Sequence, residues 1–288
     1  MITRLRLIAA ALLLAGGLTA CGATGEPGEP APSGQDTGVG HVHGLGADPA
    51  TGKVYVAGHY GLFTVERGRL VRVGDQDADF MGFTVAGPRT FYASGHPSAE
   101  DIANGAQPHL GLIRSTDAGR TWTQIALAGK ADFHALEVAG EERIYGYDSQ
   151  TGQVWRGDGG RLTPAARLDL LDLAAGPADP GTVYATTPEG VMISTDAGMT
   201  FRPLRGAPLL MFLEVTDDGH LIGVDTDARI RVSTDRGATW AAKGALPMPP
   251  VAFTAVSPQR LLAAAMDGSV YESTDGGASV TRIAAPTA

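Results

Sequence analysis

The sequence predicts an all-β protein that forms a six-bladed β-propeller with four-stranded antiparallel blades. The main observation is a motif that recurs at a fixed spacing, with copies STDAGRTW, STDAGMTF, STDRGATW and STDGGASV beginning at Ser115, Ser194, Ser233 and Ser273. The last three copies are 39–40 residues apart, and the first two are separated by 79 residues, or two such periods. A constant period of this length indicates an array of supersecondary units.

Two degenerate copies of the motif complete the array. Residues 156–160, RGDGG, keep the aspartate and the second glycine, and residues 64–68, TVERG, have glutamate at the aspartate position. Each of the six units contains four short apolar segments separated by turn residues. Such units fit a propeller, because radial repetition leaves only short strand edges exposed. We expect no helix in this domain, and closure of the ring by packing of the first blade on the sixth without a shared strand.

The motif has the composition of a tight turn between the third and fourth strands of a blade. Its aspartate can accept hydrogen bonds from backbone N–H groups of the same turn, and its glycine can adopt a positive φ. The pattern resembles the Asp-box, or BNR repeat, of sialidases, sortilin-type receptors and photosystem-assembly propellers. The resemblance implies that these aspartates are structural and lie away from the active face; they are Asp117, Asp196, Asp235 and Asp275.

The N-terminal residues 1–20 have the pattern of an export signal. Arg4 and Arg6 precede a short apolar stretch, residues 7–14, and residues 18–21, LTAC, resemble a bacterial lipobox. The resemblance implies cleavage before Cys21 and attachment of lipid to its thiol; an ordinary secreted protein is the alternative. Cys21 is the single cysteine and cannot form an internal disulfide. The predicted location is the cell envelope, on the outer face of the cytoplasmic membrane, or on an outer membrane if the host has one.

The rest of the chain divides into a tether and one domain. Residues 21–38 contain the lipidated cysteine followed by a Gly/Pro/Glu-rich tether, and residues 39–286 form the predicted propeller. Cleavage removes two of the 22 basic residues and leaves 20 against 31 acidic ones, a net charge of −11. Such a charge argues against nucleic acid as a partner. The expected partners are the membrane, through the lipid, and a small ligand, metal or glycan, and we expect a monomer.

Propeller geometry assigns an unusual set of side chains to one face. If the motif turns lie on one face, the opposite face is formed by the start of each innermost strand and by the loops between second and third strands. Five of the seven histidines map to this channel mouth: His41, His43, His59, His96 and His134. Met81 occupies the same position in its unit as His43 and His134. His109, in the insertion 97–109, and His220, in a turn of the motif face, are assigned elsewhere.

These residue types favour a transition-metal site. Neutral imidazoles beside carboxylates suit zinc, copper or iron, and the Met81 thioether favours copper(I). Asp79 and Asp132 are candidate ligands, or else they orient the imidazoles. The donors are dispersed in sequence, apart from the close pair His41 and His43, so the sequence contains no compact metal motif. A small organic ligand at the same mouth remains an alternative.

A glycoside hydrolase and a protein-docking propeller are the other two classes. Glycosidases need two carboxyl groups around the scissile bond, and the candidates are Asp79, Asp132 and Asp172, with Asp148 as a further carboxylate on this face. The segments HVHGL, DFMGF, SGHP and DFHAL resemble exported bacterial Asp-box lipoproteins labelled glycosyl hydrolase. True sialidase activity is not expected, because no arginine lies at the start of an innermost strand and no Arg-Ile-Pro motif occurs.

Overall fold

The computed structural model describes residues 38–140, 143–158 and 160–285. The predicted signal peptide, Cys21 and almost all of the tether lie outside the described residues. Within the described ranges, 24 strands form six four-stranded antiparallel sheets. The six-bladed propeller is therefore confirmed.

The strands follow one another blade by blade. The first three blades contain β1 (Val42–Ala47), β2 (Val54–Gly58), β3 (Gly61–Glu66) and β4 (Arg69–Arg72); β5 (Asp79–Gly87), β6 (Thr90–His96), β7 (Leu112–Ser115) and β8 (Thr123–Ala126); and β9 (Phe133–Ala139), β10 (Arg143–Asp148), β11 (Gln153–Asp158) and β12 (Arg161–Arg167). The last three contain β13 (Asp172–Ala175), β14 (Val183–Thr187), β15 (Gly190–Ser194) and β16 (Arg202–Pro203); β17 (Leu210–Val215), β18 (Leu221–Asp225), β19 (Arg229–Ser233) and β20 (Ala241–Ala245); and β21 (Pro250–Ala255), β22 (Leu261–Ala265), β23 (Val270–Ser273) and β24 (Thr281–Ala284).

The first strand of every blade lines the central channel. Each of these strands contacts the first strand of the next blade, and β21 contacts β1, which closes the ring. At the closure, Val42 and Val56 of the first blade share a core cluster with Leu262 and Ala264 of the sixth. Each sheet consists of four consecutive strands. The ring thus closes by packing alone, as expected.

The second strands of the blades are more completely buried than the first strands, which line the channel. All residues of β2, β14, β18 and β22 are buried, because both faces of these strands are covered by neighbouring blades. In β17, by contrast, Leu210 and Leu213 are buried while the intervening residues are only partly so. Since successive side chains of a strand point to opposite faces, the innermost strands fill the core with one face and line the channel with the other.

The repeated motif forms one hydrogen-bonded turn in all four copies, between the third and fourth strands of its blade. In the first copy, Ser115 Oγ accepts from Gly119 N (2.8 Å) and donates to Asp117 Oδ1 (2.8 Å). Asp117 in turn accepts from the Thr121 hydroxyl (2.6 Å) and from Thr121 N (2.9 Å). The hydroxyl bond in particular lowers the pKa of Asp117 to about 2. The same bonds recur at Asp196, Asp235 and Asp275.

The insertion in the second blade corrects the expectation that the domain has no helix. A short helix, α1, spans Ala99–Ala103, and Ser98 caps it by accepting a hydrogen bond from Asp101 N (3.1 Å). After α1 the chain returns to its blade, where Leu110 N donates to Gly95 O (2.8 Å). No helix among the described residues has the length and apolar character that a membrane crossing requires.

Candidate functional site

The channel mouth is formed by the ends of strands from the first three blades. Asp79 begins β5, His96 ends β6, and His43 lies near the start of β1. Asp132 directly precedes β9, and His134 lies within it. The antiparallel blades bring the start of the first strand beside the end of the second, so these side chains converge.

Asp79 is the centre of the first histidine group. His59 Nδ1 lies 3.0 Å from Asp79 Oδ2, and His43 Nε2 lies 3.6 Å from Asp79 Oδ1. His96 approaches from the second blade, with its Nδ1 3.6 Å from Asp79 Oδ2. Donor atoms of His43, His59 and Asp79 all lie within 4.8 Å of one another, which is close enough for them to hold a single metal ion.

Asp132 is the centre of the second group. Its side chain is 0 % exposed, and its Oδ2 lies 3.1 Å from His96 Nε2 and 3.0 Å from His134 Nε2. His109 completes this group: its ring centroid lies 5.5 Å from that of His96, and donor atoms of His96, His109 and Asp132 fall within 4.8 Å of one another. The assignment of His109 to a place away from the mouth was wrong, because the insertion folds back onto its blade.

The protonation preferences of the mouth suit metal ligation. Burial acts to raise the pKa of Asp132, but the hydrogen bond from His134 and the surrounding imidazoles lower it below its ordinary value. Burial lowers the pKa of His43 despite the nearby Asp79 carboxylate. Asp132 therefore stays ionised and His43 stays neutral over a wide pH range. Ionised carboxylates and neutral imidazoles are the forms that bind metals.

Three polar atoms of the mouth are buried without a hydrogen-bond partner in the part of the chain that the structure describes. They are Asp79 Oδ1, Asp132 Oδ1 and His109 Nδ1. Buried polar groups in proteins are nearly always hydrogen-bonded, and each exception calls for an explanation such as an ion or water. Two of these atoms are carboxylate oxygens and the third is an imidazole nitrogen, so all three are potential metal donors.

Below the mouth, the channel contains a second set of acidic side chains, in which Glu137 and Glu214 join the sequence-predicted Asp172. A cavity of about 280 Å³ is lined by Glu137, Glu214 and Asp172 together with His43, Met81 and His134. Burial raises the pKa of Asp172 to about 7, although its two oxygens accept from Leu173 N (3.0 Å) and Leu213 N (2.9 Å). Burial, together with repulsion by Glu214 and Asp172, raises the pKa of Glu137 well above its ordinary value, and burial with repulsion by Asp172 does the same for Glu214.

The remaining candidates occupy different surroundings. His41 lies at the rim, with its ring centroid 6.4 Å from that of His43, and makes no ion pair with a described carboxylate. Met81 lines the channel beside His43 and His134. Asp172 lies within the channel and is not part of either histidine group. Asp148 accepts hydrogen bonds from Gln150 N (3.2 Å) and the Thr151 hydroxyl (2.7 Å) of its own turn, so it is not a free carboxylate.

No protein-family model matches this sequence, and no curated protein matches it. Among solved structures, the chain is similar to the GH74 enzyme of Niastella koreensis (TM-score 0.59, 15% identity) and to the GH74 xyloglucanase of Xanthomonas campestris (TM-score 0.55, 18% identity). Each similarity covers 85% of this chain and 45% of the enzyme, so the chain spans less than half of the length of either enzyme.

A third similar structure is YCF48 bound to D1 peptide. The TM-score is 0.52 at 17% identity, over 85% of this chain and 83% of that one. At these identities, the similarities establish a shared propeller fold.

Proposed function

We propose that the protein binds a transition-metal ion, copper or zinc, at its histidine-rich channel mouth. The observation that carries this proposal is the pair of His/Asp groups, each with three donor side chains within 4.8 Å of one another. Imidazole nitrogens and carboxylate oxygens are ordinary ligands of both metals. The Met81 thioether in the channel below adds a soft donor that favours copper.

The spacing of the donors supports the same proposal. With bonds of 2.0–2.1 Å, two ligands of a tetrahedral ion are separated by about 3.3 Å. The nitrogen-to-oxygen distances at the mouth are 3.0, 3.1 and 3.6 Å. A metal ion could therefore replace the protons shared between the imidazole nitrogens and the carboxylate oxygens, with only small movements of the imidazole rings. It would also satisfy the buried oxygens Asp79 Oδ1 and Asp132 Oδ1.

Elemental analysis and titration with Cu²⁺ and Zn²⁺ test metal binding directly. We expect tight binding by the wild-type protein and loss of metal in the double variant His43→Ala, His134→Ala. Saturating metal, at 100 times its dissociation constant, should stabilise the fold by about 2.7 kcal/mol and raise the unfolding temperature accordingly.

His220→Ala is the matched control, because His220 pairs with Asp218 in a turn of the opposite face. This variant should bind metal like the wild type. If neither metal binds and neither shifts the unfolding temperature, the proposed function is wrong.

We also propose that Cys21 anchors the domain to the envelope membrane. The support is the lipobox-like LTAC sequence and the following polar tether. Two or more acyl chains suffice for stable anchoring. In the native host, Cys21→Ala should abolish incorporation of a labelled fatty acid and move the protein entirely out of the membrane fraction. Membrane retention of the unlabelled variant would contradict the proposal.

A glycoside hydrolase is the second candidate function, and Asp172 is the observation that favours it. Burial raises its pKa to about 7, the range of a general acid, and it lines a cavity together with Glu137 and Glu214. The GH74 neighbours are a reason to assay xyloglucan first. This candidate predicts hydrolysis that does not depend on metal and that Asp172→Asn reduces, whereas Asp117→Asn in a motif turn leaves the rate unchanged.

A further inference from the structure

We propose that the mouth holds two metal ions rather than one, and that the imidazole of His96 bridges them. This proposal rests on the proposed metal binding and specifies its stoichiometry and ligands. Its main support is that His96 faces a different carboxylate with each ring nitrogen. His96 Nδ1 lies 3.6 Å from Asp79 Oδ2, and His96 Nε2 lies 3.1 Å from Asp132 Oδ2.

The two sides of His96 carry equivalent sets of donors. On the Nδ1 side lie two further histidines and one aspartate: His43, His59 and Asp79. On the Nε2 side lie again two histidines and one aspartate: His109, His134 and Asp132. Three donors of each set lie within 4.8 Å of one another: His43, His59 and Asp79 in the first, and His96, His109 and Asp132 in the second. Binding of His96 Nδ1, beside Asp79, to the first ion and of His134, beside Asp132, to the second would complete two four-coordinate sets of three nitrogens and one oxygen for zinc or copper.

The protonation of His96 gives a second reason. A neutral imidazole has one N–H and one acceptor nitrogen, so it can donate a hydrogen bond to only one of two carboxylates. The other carboxylate would then face a lone pair. Two cations on opposite sides of the ring would remove this conflict, because each ring nitrogen would then face a metal ion that the neighbouring carboxylate also binds. When the second ion binds, the N–H proton of His96 leaves to the solvent and a metal–nitrogen bond forms in its place.

The backbone holds His96 in this bridging position. Its neighbour Gly95 has a φ of +140°, and the Gly95 carbonyl accepts from Leu110 N (2.8 Å), which ties in the insertion that carries His109. On the other side of Gly95, Ser94 Oγ accepts a hydrogen bond from Phe133 N of the third blade (2.9 Å). His96 is therefore fixed at the boundary between the second and third blades, where the two donor sets meet.

Titration of the purified full-length protein with Cu²⁺, followed by quantitative electron paramagnetic resonance, tests the bridge. We expect two copper ions per chain. The spin count should rise to one per chain with the first equivalent and fall well below the copper content with the second, because an imidazolate couples the two unpaired electrons. His220→Ala should behave like the wild type.

Variants of each donor set test the two positions separately. His59→Ala and His109→Ala should each lower the copper content from two ions to one, and the remaining ion should give a full, uncoupled signal. His96→Ala should remove the coupling. One copper ion in the wild type, or two with a full spin count, would overturn the bridge and leave the proposed function intact. No bound copper or zinc would reject both.

Discussion

Replacing Gly95 with alanine is expected to destabilise the protein by about 3–5 kcal/mol and to remove metal binding at the mouth, since steric overlap and backbone strain add at this position. An alanine Cβ there would lie 1.9 Å from the carbonyl oxygen of Asp79 and 2.8 Å from Met81 N. Both contacts are with backbone, which cannot move aside as a flexible side chain could. The residue also has a φ of +140°, a conformation that only glycine adopts readily.

The steric overlap caused by an alanine at position 95 lies where the two donor sets of the mouth are joined. Gly95 pairs with Phe80 across β5 and β6, and Asp79 pairs with His96 in the next position of the register. Pushing these strands apart would separate the Asp79 carboxylate from the His96 ring. The metal site is therefore expected to fail even at temperatures where the variant stays folded.

Two other glycine variants separate the cost of the steric overlap from the cost of the backbone strain. Gly87→Ala, at the other end of β5, meets no atom within 4 Å and has no positive φ, so it should be close to neutral. Gly105→Ala has open space but a φ of +91°, and so measures the backbone strain alone. Urea unfolding gives the free energy of unfolding of each of the three variants for comparison with the wild type. Equal stability of Gly95→Ala and Gly105→Ala would show that the contact with Asp79 has no cost.

The periodic parts of the molecule could be predicted from sequence because the motif fixes the register of each blade. Once the turn at Ser115 is placed between third and fourth strands, the positions of Asp79 and His134 at the opposite face follow from the alternation of strand directions. His109 could not be placed in this way. It lies in an insertion that interrupts the period, and its position depends on backbone contacts such as that between Leu110 and Gly95, which no repeat encodes.

Glu137 and Glu214 could not be placed in the site for a different reason. The predicted mouth is formed by the starts of the innermost strands and by the loops between second and third strands, whereas the channel is lined along the whole length of the innermost strands. Glu137 and Glu214 stand in otherwise apolar segments, ALEVA and LMFLEV, and in the same position of their blades. A charged residue that recurs at the same position of an apolar strand can be recognised in the sequence. Its consequence, a cluster around Asp172, requires the closed ring.

Removing one of these acids is expected to stabilise the protein at neutral pH and to have little effect at pH 4. Glu137→Gln should raise the free energy of unfolding by about 2 kcal/mol at pH 8, because it removes a buried carboxylate and its repulsion of Glu214. A change of one unit in a pKa corresponds to about 1.36 kcal/mol, which sets the scale of this effect.

The direction of the pH dependence follows from the raised pKa values. A carboxyl group whose pKa is higher in the folded state favours folding while it is protonated, and this contribution is lost as pH rises from about 4 towards the folded value. The motif aspartates behave oppositely. Because their pKa values are lowered to about 2, the ionised motif aspartates stabilise the fold above about pH 4, and this stabilisation is lost only in stronger acid. Because burial lowers the pKa of His43, protonation of this residue disfavours the folded state as pH falls below about 6.5.

The motif aspartates and His43 are present in both the wild type and Glu137→Gln. The difference in stability between these two proteins therefore reports the contribution of the channel carboxylate alone. Unfolding temperatures measured from pH 4 to pH 8 should coincide at the acidic end and diverge steadily above it. Glu189→Gln, in the exposed turn between β14 and β15, is the matched control and should follow the wild type throughout. A constant difference across the range would mean that folding leaves the pKa of Glu137 unchanged, because the channel admits enough water to solvate the carboxylate.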